Sequence, residues 1–95
     1  MLDKLQAICN KYEELSAKSE QPDFYADPQK AAKLLREKND LEPIVEAFHA
    51  YNQAQQDMAD AQELMADPEM KALCQETYAA AKAQKEALAE KIQIL

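Results

Sequence analysis

Few side chains in this sequence could do chemistry, and most are spaced wrongly for it. Glu46-Ala47-Phe48-His49 has the Glu-x-x-His spacing that helical di-iron bundles use to aim a carboxylate and an imidazole inward. Such a centre needs a second copy of the motif, and His49 is the single histidine of the 95 residues. Ile44 and Phe48 also mark the apolar stripe of this segment, which turns Glu46 and His49 toward solvent. No metal site and no cofactor are therefore expected. Cys9 and Cys74 stand apart, without a Cys-x-x-Cys pair or histidines at zinc-ligand spacing. They read as reduced, buried or half-buried thiols of a cytoplasmic protein. No histidine is paired with an acid, and no nucleophile has a base at hand, so no catalytic residue is expected and the segment is not read as an enzyme.

The chain contains no glycine, and this narrows the possibilities further. Glycine supplies positive-φ turns and backbone that can approach a ligand closely. Without it there is no phosphate-cradling P-loop, no dinucleotide-binding fingerprint and no nucleophile elbow.

One charged pattern is left. Asp57, Asp60 and Glu63 form an acidic row at three-residue spacing, continued by Asp67 and Glu69. Residues 41–70 hold seven acids and neither lysine nor arginine, so the whole net charge of −7 lies in one third of the chain. A solvated face is the simpler reading of such a row. A contact surface for a basic partner is the functional one, with Asp57, Asp60, Glu63, Asp67 and Glu69 as its candidates. Strong direct binding of nucleic acid is not expected, because that requires a clustered basic footprint. Lys30, Lys33, Arg36 and Lys38 make a small basic group that Glu37 and Asp40 largely neutralise.

The elements that position this row are helical. The composition is rich in alanine, leucine, glutamate, glutamine and lysine, the strong helix formers. Of the 47% hydrophobic residues, 18 are alanine, so the core must be narrow. Leu5, Ile8, Tyr12 and Leu15 define the stripe of a first helix, Leu2 to Lys18. Gln21-Pro22-Asp23 ends it. Phe24 and Tyr25 are expected to fold back as plugs over the bundle end.

Two similar start signals follow, Ala26-Asp27-Pro28-Gln29 and Ala66-Asp67-Pro68-Glu69. Each places Asp at the N-cap and Pro at the first helical position. The second segment, Pro28 to Met65, would reach about 57 Å as one helix, at ~1.5 Å per residue. Leu34, Leu41 and Phe48 occupy one heptad position, and Ile44, Tyr51, Met58 and Met65 another. Gln55 and Gln62 weaken the seam distally. Pro43 is expected to kink this helix, with a clean break as the alternative. The third segment runs from Pro68 to the end. It begins with Met70, Leu73 and Cys74, and only alanines stand between Tyr78 and Leu88 as apolar residues. The expected fold is all-α, a three-helix bundle or long helical hairpin, in a single domain over residues 1–95. Ile92, Ile94 and Leu95 form an apolar end, as expected of a fragment of a larger protein. No signal peptide or membrane-spanning run is evident.

Met1-Leu2-Asp3-Lys4-Leu5 and Lys11-Tyr12-Glu13-Glu14-Leu15 resemble the start of bacterial class I peptide chain release factors. So do Leu41-Glu42-Pro43-Ile44-Val45-Glu46-Ala47-Phe48, Ala54-Gln55-Gln56-Asp57 and Ala66-Asp67-Pro68-Glu69-Met70. The likeness runs in register over nearly the whole chain. These blocks are most similar to the type that reads UAA and UAG. Pro22-Asp23-Phe24-Tyr25-Ala26-Asp27-Pro28 is closer to the connector of the type that reads UAA and UGA.

The resemblance implies an N-terminal helical domain acting in translation termination. That domain would reach toward the stalk base of the large ribosomal subunit, with a class II release-factor GTPase as the neighbouring partner. The codon-reading tripeptide and the Gly-Gly-Gln catalytic loop would lie beyond Leu95, and a chain without glycine cannot contain that loop. The alternative is a stand-alone acidic coiled-coil adaptor. A helical tRNA-binding arm like that of seryl-tRNA synthetase fits a long hairpin but not the acidic charge.

Overall fold

A computed structural model describes the backbone of Leu2–Ile94 and the side chains of residues 3–93. Ile94 and Leu95, two residues of the expected apolar end, have side chains outside the described residues. The described part holds three α-helices, α1 (Leu2–Ser19), α2 (Pro28–Leu64) and α3 (Lys71–Ile94), with a short 3₁₀ turn at Phe24–Ala26 and no strand. The all-α expectation holds. The chain divides into two compact units, with the boundary between Glu46 and Ala47 inside α2.

The first unit pairs α1 with the N-terminal part of α2. Leu5, Cys9 and Leu15 are buried on α1, with Ile8 and Tyr12 half-buried, so the expected stripe is the buried one. Across from it, Ala31 and Val45 are buried and Leu34 and Leu41 half-buried. Lys11 Nζ lies 4.0 Å from Glu37 Oε1, and the Lys38 ammonium 5.6 Å from the Tyr12 ring centroid. These contacts fall at matching distances from the connector, as in an antiparallel hairpin. α1 tightens at its end, where Glu20 and Gln21 donate to the carbonyls of Ala17 and Lys18 three residues back. Phe24 is half-buried, but Tyr25 is 66% exposed and is not a plug. The two rings instead meet edge-to-face with centroids 4.8 Å apart.

Asp27 caps α2 as expected. Its backbone is extended, its carboxylate accepts the Lys30 N–H at 3.2 Å, and its carbonyl accepts the Ala31 N–H at 3.0 Å. α2 then continues through Pro43 without a break. Proline leaves the Asn39 carbonyl without its donor. Both residues are exposed, so water can satisfy that group.

The second unit pairs the C-terminal part of α2 with α3. Its seam is made of small residues: Ala47, Ala54 and Ala61 on α2 are 4%, 1% and 3% exposed, and Cys74 and Ala81 on α3 are 4% and 6% exposed. Both series repeat every seven residues, the interval of paired helices. Phe48 is also buried, and Ile92 closes the far end. Tyr51, Met58 and Met65 are half-buried along the margin of the alanine seam rather than at its centre. The seam therefore does not fade at Gln55 and Gln62; it passes one residue earlier, through Ala54 and Ala61. The Lys85 ammonium lies 5.6 Å from the Tyr51 ring centroid and joins the two helices.

The third helix starts at Lys71 rather than Pro68. Residues 65–70 form turns, in which Met70 donates to the Asp67 carbonyl at 3.0 Å, and the first α-type bond runs from Cys74 to Met70 at 2.9 Å. Asp67 thus caps a turn. Its carboxylate accepts the Glu69 N–H at 3.0 Å, two residues on, whereas Asp27 reaches three residues on.

Candidate functional site

The row of acids sits on the last two turns of α2 and the turn that follows, entirely within the second unit. Each three-residue step rotates a side chain by about −60° around a helix of 3.6 residues per turn. The row from Asp57 to Glu63 therefore winds across the surface. Asp57 is half-buried at the margin of the seam, and Asp60, Glu63, Asp67 and Glu69 are exposed. Gln53 Nε2 donates to Asp57 at 2.9 Å and Gln56 Nε2 to Asp60 at 2.9 Å, two i,i+4 pairs that steady the carboxylates. None of the five acids joins an ion pair among the described residues. Asp67 is the one whose carboxylate is engaged in local backbone structure, through Glu69.

The part of the row at the end of α2 is badly placed for helix stability. Acidic side chains near a helix C-terminus oppose the macrodipole, typically by about 0.3–1 kcal/mol each. α2 carries Glu63 in its last turn and no basic residue there, and α3 has no acid in its first turn but begins with Lys71. Local electrostatics thus oppose Glu63 at the end of α2 but favour Asp67 and Glu69, which precede the N-terminus of α3.

Near it in sequence lie apolar side chains, of which the sequence pattern does not single out Leu64 and places Leu73 only in the apolar start of the third segment. Leu64 is 50% exposed and Leu73 59% exposed, and Met65 and Met70 are half-buried between them. A signal for this exists in the spacing. Leu64 stands one residue before Met65 of the margin series, and Leu73 one residue before Cys74 of the seam, so both fall off the buried positions.

Other candidates are placed as follows. Glu46 and His49 are exposed, in keeping with their expected orientation. Cys9 and Cys74 are buried free thiols. Burial pushes the Cys9 thiol up from its ordinary range, and the Glu13 carboxylate adds to this by disfavouring a thiolate. A raised pKa is the opposite of what a reactive cysteine needs. An open groove of about 430 Å³ lies in the first unit beside the connector, lined by Lys18, Lys30, Asp23, Asp27, Phe24 and Leu34 among others. Its lining carries two lysines and two aspartates, so it has no net charge to favour an ion. Among the described residues, no group of three or more His, Cys, Asp or Glu is arranged to hold a metal ion, and no helix is long and apolar enough to cross a membrane. The arrangement suits recognition of another macromolecule through charge and apolar contact.

The sequence is similar to those of known proteins. Residues 8–95 match the PCRF domain family. Peptide chain release factor 1 of Agathobacter rectalis is 36% identical over 98 residues, covering 100% of this chain and 27% of that protein. The same factor of Caldicellulosiruptor bescii is 37% identical over 98 residues, covering 100% of this chain and 28% of that protein. The chain thus spans little more than a quarter of the length of these relatives. No solved structure matches it.

Proposed function

Since this chain belongs to the PCRF domain family, we propose that it is the helical N-terminal domain of a class I release factor of the type that reads UAA and UAG. Its role is to help position that factor on the ribosome during translation termination in the cytoplasm. The observation that carries this reading is likeness along the whole chain, 36% and 37% identity to two release factors 1, rather than any single motif. The hydrolysis of peptidyl-tRNA falls to segments beyond Leu95, and this domain contributes binding, not catalysis. A basic ribosomal protein at the large-subunit stalk base is the proposed contact of Asp57, Asp60, Glu63, Asp67 and Glu69. The class II release-factor GTPase is the proposed neighbour. The acidic composition supports a domain that meets protein rather than bare RNA.

Two measurements test this. Reading the gene past codon 95 should reveal a continuing frame with a Gly-Gly-Gln tripeptide; a frame without one leaves the stand-alone acidic adaptor. Charge reversal at Asp57, Asp60 and Glu63 together should weaken association of the factor with ribosomes and flatten its salt dependence. Unchanged association at low salt would sink the assignment of the row as the contact.

A further inference from the structure

The end of the second unit combines two features that are each unremarkable alone. Leu64 and Leu73 are, with Tyr25 of the other unit, the exposed large hydrophobic residues among those described. Leu64 is the last residue of α2 and Leu73 the third of α3, so an antiparallel pair joined by the 65–70 turn carries both at one end. Met65 and Met70 lie between them in sequence and are half-exposed. Methionine is unbranched and polarisable, and it adapts to irregular partner surfaces. Interleaved with these four along the sequence are the exposed carboxylates of Asp60, Glu63, Asp67 and Glu69, with Lys71 as the nearest cation in sequence. An apolar centre inside a charged rim is the usual anatomy of a protein–protein contact.

We propose that this end of the hairpin is a docking surface for a basic amphipathic helix of a partner protein, whose apolar stripe covers Leu64 and Leu73 while its lysines and arginines meet the acidic rim. The proposal deepens the reading of the acidic row as partner-facing and rests on it. Charge complementarity selects the occupant. Nucleic acid and anionic lipid would both be repelled by the rim and would leave the leucines in water. A second copy of this chain would bring the same acids face to face. Division of labour follows from the chemistry: the carboxylates steer and orient the partner, and the leucines, which water covers in the free protein, supply the part of the affinity that salt does not screen.

The test titrates the isotope-labelled chain with three probes and follows the amides by NMR. The first is a designed helical peptide with a leucine stripe flanked by lysines. The second is a scrambled peptide of the same composition, lacking the stripe. The third is a short single-stranded RNA. The striped peptide should perturb residues 60–74 and bind roughly tenfold more tightly than the scrambled one, the gain expected from covering two half-exposed leucines. The double variant Leu64→Ser/Leu73→Ser should bind the striped peptide only as well as the scrambled one. Because both leucines are exposed, its helicity by circular dichroism should match that of the parent. Equal affinity for the two peptides, or undiminished binding by the double variant, overturns the proposal, as does RNA binding at the same residues. Asp60→Lys/Glu63→Lys separates the two readings. If it weakens both peptides while the leucine variant weakens neither, the acidic contact stands and the apolar centre falls; if neither variant weakens either peptide, both readings fall.

Discussion

The two units solve the same problem, pairing two helices, with different materials. The first packs large side chains: Leu5 and Leu15 are buried against a face that includes Val45. The second packs alanine, with Ala47, Ala54, Ala61 and Ala81 all 6% exposed or less. Large side chains stabilise by removing apolar area from water, about 25 cal/mol per Å². Alanine contributes little area. It lets two backbones approach toward the near end of the usual 8–10 Å or so between helix axes, and it costs no side-chain entropy on burial. A thin core can therefore still hold a hairpin, provided that nothing larger is put into it.

The sharpest way to break this contrast is Leu15→Ala. Leu15 is 2% exposed, and truncating a buried leucine typically costs about 2–5 kcal/mol. Urea unfolding should show that loss, and a cost below about 1 kcal/mol would mean the first unit does not depend on its large residues. The opposite change probes the second unit. Ala54 is 1% exposed, and Ala54→Leu should cost about 1–3 kcal/mol by overfilling the seam, whereas Ala59→Leu on the exposed face of the same helix should be nearly neutral. A neutral Ala54→Leu would refute close packing.

The two Ala-Asp-Pro signals give a finer comparison. Asp27→Ala removes a helix cap and should cost about 1 kcal/mol. Asp67→Ala removes a turn cap outside the helix and should cost visibly less, by the same unfolding assay. Equal losses would place both residues in the same structural role.

The smallest effect expected is with pH, and it concerns the first unit. The folded state holds the Cys9 thiol above its ordinary range. Its contribution is then fully present below the unfolded thiol pKa. It is lost as pH rises from there toward the raised folded value, because the unfolded chain ionises first. Stability of the parent should fall in that alkaline window more than that of Cys9→Ala. Parallel pH profiles for the two would show that burial of Cys9 has no bearing on its ionisation.

The contrast between units also explains what could be read from sequence. In α1, large apolar residues at steps of three and four made the buried stripe legible, because leucine and isoleucine have nowhere else to go. In the second unit the seam is alanine, a residue as common on exposed helix faces as in tight seams. Its seven-residue repeat at 47, 54 and 61 was present but was overshadowed by Tyr51, Met58 and Met65 beside it. The acidic row was legible as charge, while Leu73 groups with Met70 and Cys74 at the start of the third segment and Leu64 goes unmarked; only their offset from the buried series shows that both stay exposed.

What the sequence determined by itself is the helical class, the division into three segments, the cap at Asp27 and the solvent-facing acids. These follow from propensity, proline and charge, which act over a few residues. Tertiary structure alone decided that α2 runs through Pro43 unbroken, that α3 begins only at Lys71, that Tyr25 stays out, and that two leucines remain in the solvent. Each of these outcomes depends on what lies across from a residue, and that is set by the pairing of helices distant in sequence rather than by any local preference.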